Sequence, residues 1–213
     1  MFDVANHLGA VSRAVEDSTH EGRPVKVVVA SRTFPTDAAD LWQAVTDPER
    51  VPRWFAPVTG DLRLGGRFQV EGNAGGEVTA CEEPEHFAIT WEFAGDTSWV
   101  DVHLEEEGGG TRLTLRHAAD VRGNPHLATY GPGAVGVGWE LGLMDLAEHL
   151  ATGTTIPHEE VEGWGASAEG QSFMTGSATG WGEADAATSD DPDASRAAAA
   201  RTAAFYTGAE PPA

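Results

Sequence analysis

Apolar residues recur along the chain with two different periods. Val4, Leu8, Val11 and Val15 stand at helical spacing, so residues 3–17 are expected to form a helix capped by Asp3. "STHEGRP" breaks that pattern, and "VKVVVASRTF" (25–34) is β-branched and reads as a strand. In "TDAADLWQAVTDPERVPRWF", Thr36 or Asp37 caps a helix with Leu41, Trp42 and Val45 on one side. "TDPE" then starts a second short helix, with Asp47 as cap and Pro48 in its first position. From 60 to 120 the period becomes two. "GDLRLGGRFQVEG" is expected to be two short strands around Gly65-Gly66, followed by "GGEVTACEE", "HFAITWEF", "SWVDVHLEEE" and "TRLTLRHAADV". That makes an antiparallel meander of about six strands, or seven with the first.

The next stretch, Gly131 to Leu150, is helical in its second half but carries five glycines: Gly131, Gly133, Gly136, Gly138 and Gly142. Each glycine inside a helix costs roughly 0.5–1 kcal/mol relative to alanine. On a wheel centred on Trp139, Val135, Gly142, Leu143, Leu146 and Leu150 fall within about 60°. Gly136 lies at that edge and Gly138 further round. The glycines therefore flank Trp139 on the face expected to meet the sheet. Either they allow close helix–sheet approach, or they leave an unfilled space that holds a ligand. Val137, Leu141 and Met144 line the opposite side, so this helix is apolar nearly all round and needs cover on both faces.

Residues 152–213 are rich in Ala, Gly, Ser and acidic residues, yet hold Trp164, Phe173, Met174, Trp181, Phe205 and Tyr206. Asp191 as cap, Pro192 at the first helical position and Gly208 after the end mark a helix. Residues 168–187 and 192–207 are therefore expected to form a helical hairpin, packed on the long helix or on a homodimer mate. The organisation read this way is an N-terminal helical extension (1–24), an α+β domain (25–151) and a C-terminal helical extension (152–213).

Composition narrows the function classes. Lys and Arg number 13 against 34 Asp and Glu, a net charge of −21, so nucleic acid is an unfavourable partner. One cysteine, Cys81, excludes an internal disulfide framework and fits a reducing, cytoplasmic location. The N-terminus has no signal-peptide pattern, and no apolar run is long enough to span a membrane.

Several stretches resemble the Hsp-90 ATPase activator homologue family of the START-like, or SRPBCC, superfamily. They are "RTFPTDAADLWQAVTDPERVPRWF", "GDLRLGGRF", "GEVTACEEPEHFAITWEF" and "GTRLTLRH". The resemblance covers roughly 25–150. It implies a helix-grip fold, in which a curved antiparallel sheet wraps a long C-terminal helix around an internal cavity. Superfamily members include ligand-binding, polyketide cyclase-like and co-chaperone proteins, so the fold alone does not select an activity.

Alternation selects the candidate wall. Phe87, Ile89, Trp91 and Phe93 share one strand face, as do Val100, Val102 and Leu104, and Leu113, Leu115 and His117. Phe68 and Val70 pair on the hairpin. The candidate ligand-binding residues are Trp54, Phe68, Val70, Trp91, His117, Val135, Trp139, Gly142 and Leu143. The expected ligand is a small apolar or aromatic molecule. His117 interrupts an apolar row: it is a hydrogen-bonded core residue, or it orients a ligand, or it is the one candidate acid–base group. His103 has the opposite parity and is expected to be exposed. No HxxxH, HxH or Cys-His spacing exists, so no metal site is expected. No nucleotide or nucleophile motif follows a strand, so no cofactor is expected. Glu92 and Asp101 have outward parity and make no catalytic carboxylate pair, and Cys81 lacks an activating partner. A chaperone partner and a cyclase- or hydrolase-like activity remain as alternatives to simple ligand binding.

Overall fold

The computed structural model describes residues 3–155 and 163–210. Its eight strands form one antiparallel sheet in the order β1-β2-β8-β7-β6-β5-β4-β3. The strands are β1 (Ser12–His20), β2 (Arg23–Phe34), β3 (Val58–Gly60), β4 (Arg67–Val70), β5 (Gly75–Glu82), β6 (His86–Phe93), β7 (Asp96–Glu107) and β8 (Gly110–Asp120). The helices are α1 (Val4–Gly9), α2 (Ala38–Thr46), α3 (Pro125–Tyr130), α4 (Gly133–Thr152), α5 (Ala168–Ala186) and α6 (Pro192–Thr207). Curved antiparallel sheet and long helix together make an α+β fold of the helix-grip class. The chain divides into two compact units. One comprises Met1–Ala30, Asp120–Leu141 and Pro157–Ala213; the other comprises Ser31–Ala119 and Gly142–Ile156. Strand β2 and helix α4 contribute residues to both.

In the first unit, the N-terminal helix is shorter than its periodicity suggests. Asp3 does cap it, accepting from the Asn6 amide at 3.0 Å, but α1 stops at Gly9. Residues 12–17, expected to continue the helix, lie in β1 instead. The reason lies in the spacing: Val11 and Val15 are four apart, which fits a period of 3.6 and a period of 2 equally well. Both are buried, at 6% and 2% exposure, Val15 within β1 and Val11 just before it. Glu21 and Gly22, both with positive φ (48° and 76°), turn β1 into β2. Two consecutive positive φ values suit the right-handed twist of a two-residue hairpin turn.

The C-terminal helices pack in this unit as a hairpin. Ser167 caps α5 through the Gly170 amide at 3.2 Å. Asp191 caps α6 through the Ala194 amide at 3.0 Å, Pro192 opens it and Gly208 closes it with φ 68°. Asp191, Pro192 and Gly208 are the signals read from the sequence; the Ser167 cap was not among them. Trp181, Phe173 and Ala178 of α5 are buried to 1% exposure or less. Thr202 donates to the Tyr130 carbonyl and Tyr206 to the Ala134 carbonyl, each at 2.7 Å, which ties α6 to α3 and to the start of α4. Arg13 of β1 makes a two-pronged ion pair with Glu140 of α4, at 2.5 and 2.7 Å.

Three glycines of α4, Gly133, Gly136 and Gly138, answer to these helices. A Cβ added at Gly136 would stand 2.3 Å from Cε2 of Trp181; at Gly133 it would stand 3.1 Å from the Trp181 Cβ. At Gly138 it would stand 3.2 Å from the Tyr206 hydroxyl. The expectation that Gly136 and Gly138 flank Trp139 on the sheet side is therefore corrected: they admit the large rings of α5 and α6. The cover for this side of α4 comes from the chain's own C-terminal helices. Val137 is completely buried.

In the second unit, Asp37 caps α2 by accepting from the Asp40 amide at 2.8 Å, and Leu41, Trp42 and Ala44 turn inward. The expected second helix reduces to a turn and a 3-10 segment, Val51–Arg53. The first hairpin is displaced from its expected position. Val58 pairs with Val70 and Gly60 with Phe68, so residues 61–66 are the connection. Asp61 holds that connection by accepting from the backbone and guanidinium of Arg63. Strands β5 to β8 then run as the meander read from the alternation, with Trp91 opposite Ser98 and Val100 opposite His117.

Candidate functional site

Seven of the nine residues selected from the sequence lie in the second unit. Phe68, Val70 and Val78 form a buried cluster, and Phe55, Ala56, Val58, Leu62, Ile89 and Trp91 pack against it only partly buried. Trp54 and Phe55 stand side by side with ring centroids 5.5 Å apart. The Trp54 indole N–H donates to the Ala44 carbonyl at 2.8 Å, which fixes its ring against α2. Gly142 faces this pair: a Cβ there would meet Trp54 at 3.7 Å and Phe55 at 3.8 Å, in ordinary contact. Leu143 is buried at 4% exposure, and its carbonyl lies 3.4 Å from the Arg32 guanidinium. Val135 and Trp139 belong to the first half of α4, in the other unit, and both are half-buried there.

His117 lies at the end of this wall. Its ring meets Trp91 edge-on at 6.3 Å. Its Nε2 lies 2.7 Å from the Ser98 hydroxyl, which donates its proton to the Trp91 carbonyl at 3.1 Å. With that proton committed, Nε2 must donate to Ser98, which leaves Nδ1 as the acceptor nitrogen of a neutral ring. Burial pushes the imidazole down to about 4, so it is neutral at pH 7. A base that weak serves hydrogen bonding better than proton abstraction at neutral pH.

Three chemically active residues of this unit escaped the sequence reading. Asp145 lies one helical turn beyond Gly142, and its Oδ1 is closed off from solvent with no hydrogen-bond partner among the described residues. Burial, reinforced by the charge of Glu148, pushes its carboxyl up to about 7. Arg32 is 9% exposed, with its guanidinium 5.3 Å above the Phe34 ring. Burial lowers its pKa, against the opposing pull of Glu148. Ser98 is the third, through its link between His117 and Trp91. The available signals were faint: three residues from Gly142 for Asp145, and the parity shared with Phe34 for Arg32.

The carboxylates judged unsuited to paired catalysis are engaged elsewhere. Glu92 pairs with Arg67 at 2.6 Å, and Asp101 lies against His86 and His103. An open hollow of about 470 Å3 lies between the start of α2 and the β7–β8 turn. Its lining of Thr36, Asp37, Glu106, Glu107 and glycines includes none of the aromatic residues above.

Comparison with known proteins agrees with the fold. CalU16 from Micromonospora echinospora is 34% identical in its crystal structure, which covers 74% of this chain and 97% of that one, with a TM-score of 0.57. Its solution structure matches over 93% of this chain and 94% of that one, at 26% identity and a TM-score of 0.64. That coverage carries the likeness into the C-terminal helical extension. DynU16, described as a putative protein in the dynemicin biosynthetic locus, is 25% identical over 61% of this chain and 48% of its own, with a TM-score of 0.53. No curated protein matches the chain. No helix among the described residues is long and apolar enough to cross a membrane. The profile of the family described as Activator of Hsp90 ATPase homolog 1-like protein matches residues 35–151, more than half of the chain, and the chain belongs to that family.

Proposed function

We propose that the second unit binds a small, largely apolar or aromatic molecule that carries one polar group. The observation that supports this is uneven burial across one wall. On β7 and β8, the inward residues Val100, Val102, Leu104, Leu113 and Leu115 are at most 5% exposed. On β6, the inward residues Phe87, Ile89 and Trp91 are only half-buried, although they are the larger side chains. Large apolar side chains left accessible on an inward face favour a ligand-accepting space. Trp54, Phe55, Phe68, Val70, Trp91 and Gly142 would supply its apolar contacts, with Leu143 next to Gly142 on α4. Neutral His117 would orient the polar group by hydrogen bonding.

The test combines native mass spectrometry of the purified chain with titration of anilinonaphthalene sulfonate. A co-purifying small molecule, or saturable probe binding lost in Gly142→Leu and Trp91→Ala while the circular dichroism stays native, is the expected result. Probe binding that is the same in both variants would overturn the assignment. A stoichiometric chaperone partner, with no probe binding, would favour the co-chaperone alternative. Asp145 favours a second reading, acid–base turnover of the ligand as in a cyclase or hydrolase. A carboxyl that titrates near 7 is suited to both halves of proton transfer at neutral pH. On that reading Asp145→Asn binds the molecule but leaves it chemically unchanged.

A further inference from the structure

The outward face of β6 and β7 carries a constellation that spacing along the chain does not show. His86 opens β6 and stands directly opposite His103 on β7. Asp101 lies two residues from His103 on the same face of the sheet. Both imidazoles turn Nε2 toward the one carboxylate. His86 Nε2 lies 3.0 Å from Asp101 Oδ2, and His103 Nε2 lies 2.7 Å from Oδ1. The two rings are stacked, 4.3 Å between centroids and 12° from parallel. One ligand atom from each of the three side chains falls within 4.8 Å of the others.

We propose that His86, His103 and Asp101 bind a single first-row divalent metal ion of the zinc type. Two imidazoles and one carboxylate are a borderline nitrogen–oxygen donor set, which suits zinc and its neighbours better than calcium or magnesium. Ligand atoms on a tetrahedral ion with bonds near 2.0–2.1 Å lie about 3.3 Å apart. The donors here need only small side-chain rotations to reach that spacing. His103 and Asp101 have 47% and 38% of their side chains exposed, and His86 has 18%, so the ion has a path from solvent. When the metal enters, each Nε2 gives up its hydrogen bond to the carboxylate, carries its proton on Nδ1 instead, and turns its lone pair to the ion. The carboxylate exchanges two hydrogen bonds for one metal bond.

The surroundings act in both directions. Glu82 on β5 stands opposite His86 and adds a negative charge at the rim. The net charge of −21 also favours a cation. Arg116 stands opposite Asp101 on β8 and opposes it. The pairing of Asp101 with two imidazoles outweighs that one cation in number of donors. Three protein donors leave further coordination positions to water, as in sites where a metal ion retains exchangeable ligands. This site lies on the opposite strand parity from Trp91 and Ile89, so it does not depend on the ligand-binding proposal.

The experiment uses the full chain, stripped with EDTA and titrated with Zn2+ by calorimetry. The expected result is saturable uptake of one ion per chain. His86→Ala and His103→Ala should each weaken it by about tenfold or more, since loss of outer partners alone costs a metal site that much. His126→Ala, which removes a histidine from the other unit, should leave it unchanged. Unaltered thermal midpoints of the metal-free variants confirm that they fold. Absence of saturable uptake by the wild-type chain would overturn the proposal. So would uptake that persists in the double variant lacking both His86 and His103.

Discussion

Gly136→Ala and Gly142→Ala make the same chemical change on one helix and are expected to shift stability in opposite directions. Each removes a glycine from a helix interior, which is worth roughly 0.5–1 kcal/mol in favour of the variant. At Gly142 the new methyl meets Trp54 and Phe55 at 3.7–3.9 Å, an ordinary contact, so the gain stands. At Gly136 the methyl falls 2.3, 2.4 and 2.5 Å from Cε2, Cδ2 and Nε1 of Trp181. A flat, completely buried indole cannot yield by rotating one end. Nor does α5 have slack behind it, because a Cβ on Gly182 would already lie 2.4 Å from the Ala199 Cβ of α6. Retreat by about 1 Å means moving a helix or forcing a rotamer, and overpacking of this kind costs about 1–3 kcal/mol. Set against the helix gain, the net loss at Gly136 is about 1–2 kcal/mol, or a thermal midpoint lower by about 2–8 °C. Gly142→Ala should raise the midpoint by about 1–4 °C. Urea unfolding and calorimetry of both single variants measure these shifts. A Gly136→Ala chain as stable as wild type would refute the packing of Trp181 on α4. A destabilised Gly142→Ala chain would refute the ordinary clearance at Trp54 and Phe55.

Four further substitutions test the buried ionisable groups. Arg13→Ala leaves the Glu140 carboxylate, with none of its side chain exposed, unpaired, and should cost about 3–5 kcal/mol by denaturant midpoint. Adding Glu140→Gln should recover part of that loss in a double-mutant cycle. His117 titrates near 4 in the fold against 6.5 for the free group. Below 6.5 the unfolded chain takes up a proton that the folded chain refuses. Stability is therefore lost as pH falls from 6.5 to 4, by up to about 3 kcal/mol, and His117→Gln should flatten the profile. Asp145 runs the other way. Its carboxyl keeps its proton up to about 7, while the unfolded chain releases it near the ordinary 3.8. Stability should therefore fall as pH rises from 3.8 toward 7. Asp145→Asn should exceed wild type at pH 8 by about 1–2 kcal/mol, below the full linkage value because the residue is only half-buried.

The legible parts of the fold were those in which one signal had one meaning. The order Asp191-Pro192 with Gly208 past the end has few uses besides framing a helix, and it frames α6. Strict alternation through 87–91, 100–104 and 113–117 assigned inward faces, and the register pairs those strands across the sheet; Phe93, grouped with that face from the sequence, is instead 55% exposed at the end of β6. Val11 and Val15 failed because a spacing of four belongs to both periods. Pairing in the sheet, a non-local interaction, decided between them. The hairpin around Gly65-Gly66 failed for a related reason: two glycines mark a turn without saying how far from them pairing begins. Asp61 and Arg63 hold the connection open, so the first strand pairs upstream of its expected position, while β4 begins directly after Gly66 as expected.

The long helix shows where periodicity runs out. A helical wheel gives the direction of each residue and nothing about what stands opposite. Gly136 and Gly142 were grouped around Trp139 by angle, yet Gly136 meets Trp181 and Gly142 meets Trp54 and Phe55. The need for cover on two sides was legible, because an apolar residue such as Val137 must be buried against something. The identity of the cover was not. The same limit hid the outward cluster. Motif spacing detects ligands that lie near one another along the chain, whereas His86 and His103 are joined only by the register of two antiparallel strands. Asp145 was hidden by composition: in a chain with 34 acidic residues, one more carboxylate on a helix reads as solvated surface. Its closed-off Oδ1 separates it from that background. Glycines placed by angle become informative once their contacts are known, and carboxylates once their hydrogen-bond partners are counted. Those two checks account for most of what the wheel and the motifs missed in this chain.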